Sequence, residues 1–314
     1  MSKSVVIIVP FLNEEDNLPE LYRRLCAVFA NLEETGQFLF VDDGSTDRSV
    51  ACLEEFRQTD DRVRILQLSR NFGHQIAITA GLDHADGDAA IIMDADLQDP
   101  PEVIPELLAK WREGHEVVYA VRRRRDGETW LKKFLAASFY RLFRNLTKVD
   151  VPLNSGDFRL VDRVVVESLR DIRELHRFMR GLTCWVGFRQ CAVHYDRDAR
   201  YAGETKYPVW KSACLAFDAI TSFSASPLRW TVGFGVLACL IAMIWFADIL
   251  VTMVFCPERM VQGWPSIIAA IIFMGGVQLV SIGVLGQYLG RTFEEVKKRP
   301  LYIIRAGSGR KGGA

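Results

Sequence analysis

Short apolar runs alternate with stretches of helix-spaced apolar positions between residues 4 and 121. Strands are predicted at 4–9, 37–41, 63–68, 89–93 and 116–121, each an apolar run bounded by polar or turn-forming residues. Between the first two, Leu18, Leu21, Leu25, Val28, Phe29 and Leu32 recur at helical spacing behind the start signal Asn13-Glu14-Glu15. Helices are predicted in the same way at 46–57, 75–85 and 101–112, and Pro101 suits the first turn of the last. Such alternation implies an α/β domain with a mostly parallel sheet flanked by helices. The unbroken apolar run 89–93 reads as a strand buried on both faces. His194 alternates with Val193 and Tyr195 in a further strand, and no role is assigned to it.

The pattern then changes twice. Near 129–147, Trp130, Phe134, Leu135, Phe139, Leu142 and Phe143 form one face of a helix, while Lys132, Lys133, Arg141 and Arg144 form much of the rest. A basic amphipathic helix of this kind either packs on a core or lies at a membrane surface; a second candidate runs over 207–223. Beyond Pro227 the chain turns strongly apolar. Residues 230–256 carry one charge, Asp248, and 267–289 carry none. Each stretch exceeds the roughly 20 residues that cross ~30 Å of hydrocarbon. Asp248 would lie ~27 Å along the first helix, near the far interface, where a carboxylate costs well below roughly 2.5–3.5 kcal/mol. Arg229, Arg291, Lys297, Lys298, Arg299 and Arg305 flank the pair, whereas the linker 257–265 has a single Arg. The positive-inside rule therefore puts both termini in the cytoplasm.

The expected organisation is a cytoplasmic domain over 1–226 that includes both interface helices, a two-helix transmembrane hairpin over 227–290 (spans about 230–255 and 267–289), and a basic tail over 291–314. The Gly-rich end after Ala306 is expected to be disordered. The apolar stretch 5–9 is too short for a signal peptide, and Pro10 cuts it off.

Charge and cysteine content narrow the function classes. Lys+Arg and Asp+Glu both number 39 in 314 residues, so the net charge of zero argues against a general nucleic-acid binder. Seven scattered cysteines with no C-x-x-C pair read as small buried hydrophobes in a reducing compartment.

Candidate chemistry gathers at strand ends. The first strand leads into Pro10-Phe11-Leu12-Asn13-Glu14, the second into Asp42-Asp43-Gly44-Ser45-Thr46-Asp47, and the fourth into Asp94-Ala95-Asp96-Leu97-Gln98-Asp99. The C-terminal edge is where open α/β sheets bind ligands. Carboxylates crowded there are costly unless a cation neutralises them, which points to a divalent metal holding a phosphorylated ligand. No G-x-G-x-x-G follows the first strand and no P-loop is present, so acids and a metal must do the recognising. Asp42-Asp43-Gly44-Ser45 taken alone also fits a turn with a helix cap. His74, in Asn71-Phe72-Gly73-His74-Gln75, is expected to open a helix.

These motifs, with Ser69-Arg70-Asn71-Phe72-Gly73, Asn154-Ser155-Gly156-Asp157-Phe158-Arg159-Leu160 and Arg200-x-x-Gly203-x-Thr205-Lys206-Tyr207, resemble those of family-two glycosyltransferases of GT-A fold. The narrower resemblance, over nearly the whole chain, is to the polyprenyl-phosphate glycosyltransferases, which include dolichol-phosphate mannose synthase and the bactoprenol-phosphate glucosyltransferases. It implies that Pro10, Leu12, Glu14, Asp42, Asp43 and Asp94 line a nucleotide-sugar pocket. Leu12 departs from the tyrosine of the mannose synthases. Asp96 and Gln98, with Asp94 nearby or sharing the ion, would ligate Mg²⁺ or Mn²⁺, and Arg122, Arg200 and Lys206 would bind phosphates. Each of these cations also fits a surface or lipid-headgroup role. Gly283, Gly286 and Gly290 permit close helix packing, either within the hairpin or in a homo-oligomer, a tetramer in some relatives of this kind.

The expected activity is transfer of a hexose from a nucleotide sugar, UDP-glucose by preference, to a polyprenyl (undecaprenyl) phosphate at the membrane. A lipid monophosphate, with a second pKa near ~6, is already mostly dianionic at neutral pH and hardly needs a base. Asp157 is the candidate catalytic residue. It could act directly, orient the acceptor or a cation, hydrogen-bond the sugar, or only structure its loop. GDP-mannose is the alternative donor. A processive polysaccharide synthase is disfavoured because Ser226 stands where Gln-x-x-Arg-Trp would need glutamine before Arg229-Trp230. A non-catalytic membrane scaffold is disfavoured by the intact Asp96, Gln98 and Asp157.

Overall fold

The computed structural model describes residues 3–123, 155–196, 226–255 and 263–305. The amphipathic segments 129–147 and 207–223, Arg200, Lys206 and the end of the chain after Arg305 lie outside them. Two compact units emerge, Met1–Ala216 with Pro300–Ala314, and Phe217–Arg299.

The first unit is built on a seven-stranded sheet in the order β3-β2-β1-β4-β6-β5-β7. Its strands are β1 (Ser4–Phe11), β2 (Thr35–Asp42), β3 (Val63–Gln67), β4 (Ala89–Ile92), β5 (Val117–Arg122), β6 (Ser155–Asp162) and β7 (Gln190–Tyr195). The helices are α1 (Leu18–Phe29), α2 (Ser49–Thr59), α3 (His74–Asp83), α4 (Ile104–Arg112), α5 (Arg163–Asp171) and α6 (Met179–Trp185). Val5–Val9 of central β1 are fully buried, as a continuous apolar run requires. Leu18, Leu21, Leu25 and Phe29 form the buried stripe of α1, matching the spacing read from the sequence. That helix stops short of Leu32 because the N–H groups of Asn31 and Leu32 fold back on the carbonyls of Val28 and Phe29. Over β1, α3 packs so closely that a Cβ on Gly81 would lie 2.2 Å from Ile8 Cγ2.

One strand runs against the rest. β6 is antiparallel to both β4 and β5, while β1 is parallel to β2 and β4, β2 to β3, and β5 to β7. Its N-terminal end therefore lies at the edge where the parallel strands have their C-terminal ends. Ile92 pairs with Arg159, and two further steps of that register set Asp94 opposite Asp157. At its far end Asp162 turns the chain into α5 by accepting from the N–H of Val164 at 3.0 Å, and it also accepts from Trp111 Nε1 at 2.6 Å.

The sheet's outer strand β3 is covered by the end of the chain. Ser69 N–H donates to the Ile303 carbonyl at 2.8 Å, Arg305 N–H to the Gln67 carbonyl at 2.9 Å, and Leu68 and Ile304 form an antiparallel bridge. Tyr302 OH donates to Asp83 Oδ2 at 2.8 Å, which also pairs with Arg173 at 2.6 Å. The charge pattern predicts only a basic tail here, yet these residues close an edge that would otherwise expose unpaired backbone.

In the second unit α7 (Ser226–Phe255) and α8 (Trp264–Val296) pack on each other. Among the described residues one helix, Phe273–Val296, is long and apolar enough to cross a membrane; the apolar stretch Thr231–Trp245 in α7 is shorter. Large apolar side chains such as Ile244, Leu279 and Val280 are exposed on this unit, a surface suited to lipid or to a partner.

The strap over β3 is testable. Deleting residues 300–314 should abolish hydrogen-exchange protection of the Ser69 amide. Tyr302→Phe should cost about 1.5–3 kcal/mol of stability in the first unit, the worth of one hydrogen bond to a charged group. Unchanged exchange at Ser69 after the deletion would refute the pairing.

Candidate active site

The acid-bearing strand ends meet at one edge of the sheet. After β1, Asn13 turns the chain with φ 57° and accepts from the Thr46 N–H through Oδ1 at 2.8 Å. Glu14 N–H donates to Ser49 Oγ at 2.9 Å, and the Glu14 carboxylate accepts from Asn17 Nδ2. These bonds tie the first strand's loop to the second. Pro10 is buried at the end of β1, and Leu12 is exposed for a large apolar residue.

Asp42 and Asp43 are both buried. Asp42 Oδ1 accepts from the Ser45 N–H at 2.7 Å, holding the turn. Asp43 reaches across to the loop after β3, where the N–H groups of Phe72 and Gly73 donate to it at 2.7 and 3.0 Å. Burial pushes its carboxyl above the usual range, against the pull of those two amides. Gly73, at φ 101°, makes the turn that lets both amides converge on one carboxylate.

The loop after β4 carries the strongest acid cluster. Leu97 sits in the left-handed region at φ 58° and is buried, an uncommon backbone for a leucine. It separates Asp96, whose Oδ1 accepts from the Gln98 N–H at 3.2 Å, from Gln98 itself. Asp94 Oδ1 is buried without a hydrogen bond, its nearest positive neighbour being His74 Nε2 at 3.4 Å. Desolvation raises the Asp94 pKa, helped by Asp157, Asp99 and Asp96 and opposed by His74. An oxygen this poor in donors suits a cation. Among the described residues no three His, Cys, Asp or Glu side chains converge as a metal cage. The donor set therefore fits a hard ion that takes one or two carboxylates and fills its shell with phosphate oxygens and water.

Opposite Asp94 lies Asp157, which β6 delivers almost fully buried. Arg180, at the start of α6, donates through Nε to Oδ1 at 2.8 Å and through Nη2 to Oδ2 at 3.2 Å. Gln75 Nε2 donates to Oδ2 at 3.3 Å, and His74 Nε2 lies 3.4 Å from the same oxygen. Burial alone would raise the Asp157 pKa, but Arg180 and then His74 outweigh it and hold the carboxyl well below the usual range. Gln75 also accepts from the Met179 N–H at 2.8 Å, fixing the start of α6 against that of α3. Buried Arg159 donates to Thr183 Oγ1 and, at 2.8 Å, to the Gly156 carbonyl, locking α6 to β6.

A second polar knot closes the site. Asp99, fully buried, accepts from Tyr195 OH and lies 3.7 Å from Arg122 Nη2. Arg122 Nε in turn donates to the Tyr195 oxygen at 3.2 Å. A Cβ on Gly156 would lie 3.1 Å from Arg122 Nη2, so glycine leaves that guanidinium its space.

The structure thus brings Pro10, Leu12, Glu14, Asp42, Asp43, Asp94, Asp96, Gln98, Arg122 and Asp157 to neighbouring strand ends; Arg200 and Lys206 lie outside the described residues. His74 does open α3, as its turn predicts, but its ring also bridges Asp94 and Asp157. Sequence reasoning passed over Gln75, Asp99, Arg180 and Tyr195. One signal was present: Asp157 and Arg159 alternate with Phe158 and Leu160 in a strand with no solvated face. Cys26, Cys52, Cys184 and Cys191 are free thiols, and each is half-buried where full burial was expected.

The chain is similar to known sequences along almost its full length. The model of Glycosyl transferase family 2 matches residues 6–170. "Uncharacterized glycosyltransferase YkcC" of Bacillus subtilis is 48% identical over 96% of this chain and 94% of its own. "Uncharacterized glycosyltransferase sll0501" of Synechocystis is 46% identical over 97% and 95%. "Prophage bactoprenol glucosyl transferase homolog" of Escherichia coli is 41% identical over 96% and 98%. The crystal structure of mannosyl-3-phosphoglycerate synthase from Rubrobacter xylanophilus covers 73% of this chain and 74% of its own at 19% identity and a TM-score of 0.49. With its family model and full-length relatives in agreement, the chain belongs to glycosyl transferase family 2 and is a glycosyltransferase of GT-A type.

Proposed function

We propose that this enzyme transfers a hexose from a nucleotide sugar, UDP-glucose by preference, to a polyprenyl (undecaprenyl) phosphate at the cytoplasmic membrane face. The observation that carries the reading is Asp94. It is an acid without a hydrogen-bond donor on Oδ1, facing an Asp157 already paired with arginine, at the edge where such sheets bind phosphorylated ligands. Relatives named bactoprenol glucosyl transferase, 40–41% identical over 96% of the chain, support both the sugar and the lipid acceptor. The apolar helix Phe273–Val296 supports membrane anchoring, and the basic residues flanking the apolar segments favour the cytoplasmic side for the catalytic unit. A long polyprenyl chain stays in the bilayer, so an enzyme acting on its headgroup must be held there.

Asp94, Asp96 and Gln98 would hold Mg²⁺ or Mn²⁺. Such an ion, when bound, offsets the negative charge that builds on a departing diphosphate, worth several kcal/mol. Pro10, Leu12, Glu14, Asp42 and Asp43 frame the nucleotide, and Arg122, with Arg200 and Lys206, meets phosphate charge. An acceptor phosphate oxygen forms the new bond to the anomeric carbon as the bond to the diphosphate breaks, inverting the centre. The electron pair leaves with the nucleoside diphosphate, and no proton need move because the acceptor is already ionised.

Two experiments test this. Incubating the purified protein with undecaprenyl phosphate and a panel of nucleotide sugars should yield a single-hexose lipid product from UDP-glucose. Turnover of GDP-mannose alone would make it a mannosyltransferase, and no lipid-linked product from any donor would refute the reading. Chelation, or Asp96→Ala, should reduce transfer at least about 100-fold, as expected when transition-state charge stabilisation is lost; undiminished transfer would remove the metal.

A further inference from the structure

Resting on the lipid-phosphate reading above, we infer that Arg180 binds the acceptor's phosphate, and that Asp157 is a positioning residue that holds Arg180 in place rather than a base. Three observations converge. First, both Asp157 oxygens are engaged. Oδ1 takes Arg180 Nε at 2.8 Å, and Oδ2 takes Arg180 Nη2 at 3.2 Å and Gln75 Nε2 at 3.3 Å, with His74 Nε2 at 3.4 Å. A carboxylate surrounded by donors is arranged to orient cations, not to collect a proton.

Second, the arginines at this edge differ in what they present. Arg159 is buried and spent on Thr183 and Gly156. Arg122 is 18% exposed and turned to Asp99 and Tyr195. Arg180 keeps 30% of its side chain exposed while the carboxylate beneath it keeps 6%. The buried anion is thus covered by cationic groups that face outward, Arg180 beside a His74 ring that is 44% exposed.

Third, Arg180 is held before any ligand arrives. The start of α6 is pinned by the Met179 N–H on Gln75 and by Arg159 on Thr183 one turn later. A guanidinium fixed by a carboxylate on one edge is pre-organised to meet phosphate oxygens with little further entropy loss. The ligand class is a phosphate monoester dianion on a lipid, and the chemistry is charge pairing that aims one phosphate oxygen at the anomeric carbon. One carbon–oxygen bond forms, one breaks, and Asp157 gains no proton.

The test uses the full-length enzyme with undecaprenyl phosphate, UDP-glucose and Mn²⁺. Arg180→Met should raise KM for the lipid phosphate at least tenfold while leaving KM for the nucleotide sugar and the Kd for UDP within twofold. Arg180→Lys should recover part of the loss, and melting temperatures identify any variant that has merely unfolded. Asp157→Asn should also raise the acceptor KM, with kcat at saturating acceptor falling less than tenfold and its pH profile unchanged. Weakened UDP binding in Arg180→Lys with an unaltered acceptor KM would reassign Arg180 to the donor. A kcat for Asp157→Asn more than 100-fold down at saturating acceptor, with loss of the acidic limb of the profile, would make Asp157 a base. If the wild-type enzyme forms no glycolipid, equilibrium binding of farnesyl phosphate separates the two ideas. Binding lost in Arg180→Lys and Arg180→Met would sustain the phosphate site without the transferase reading; equal binding by wild type and variants, or none by wild type, would overturn it.

Discussion

Everything at this site depends on one strand running the wrong way. In a wholly parallel sheet, every strand would bring its C-terminal end to the ligand-binding edge, and those ends here are rich in acids. Reversed β6 brings an N-terminal end instead, and with it Ser155, Gly156 and Asp157. Asp157 alone would add one more carboxylate to a crowded edge. It is tolerable because α6 supplies Arg180 and α3 supplies Gln75 and His74, so the charge is compensated where water is largely excluded. The edge becomes two-sided: acids after β1, β2 and β4 on one side, and an arginine-capped carboxylate on the other. In the proposed reaction, that division suits a donor that arrives with a cation and an acceptor that arrives as an anion.

Much of the first half of the fold was legible because it obeys simple periodicity. β1 to β5 and the helices between them appear within a few residues of where the apolar pattern sets them. The acid motifs were legible because they follow strands whose burial the sequence declares. β6 was harder, since its alternation of Asp157 and Arg159 with Phe158 and Leu160 imitates a strand with one wet face, although both faces are buried. Arg180 and Gln75 carry no local signature at all, because their partners lie 23 and 82 residues away in the chain. Asp99 resembles one more acid of the loop motif, and only the fold reveals that it holds Tyr195 and Arg122.

The end of the chain teaches a related lesson. Charge composition distinguishes a basic, juxtamembrane tail but says nothing of backbone pairing. Residues 302–305 hold the edge of β3 through main-chain bonds that any sequence lacking proline there could make. β3, whose edge these residues cover, leads directly into the loop whose Phe72 and Gly73 amides grip Asp43. The segment following the long apolar helix is thus part of the scaffold that supports the acids of β2.

The central claim is that the acids of the β4 loop and the arginine-capped Asp157 face each other across one reaction centre. Crystals of the full-length enzyme with Mn²⁺ and UDP, measured at the manganese absorption edge, test it most directly. The account predicts one anomalous peak at coordinating distance from Asp94 or Asp96 and from the UDP phosphates, on the side of the loop that faces Asp157. A peak elsewhere on the sheet, or UDP bound with no contact to the β4 loop, would contradict it.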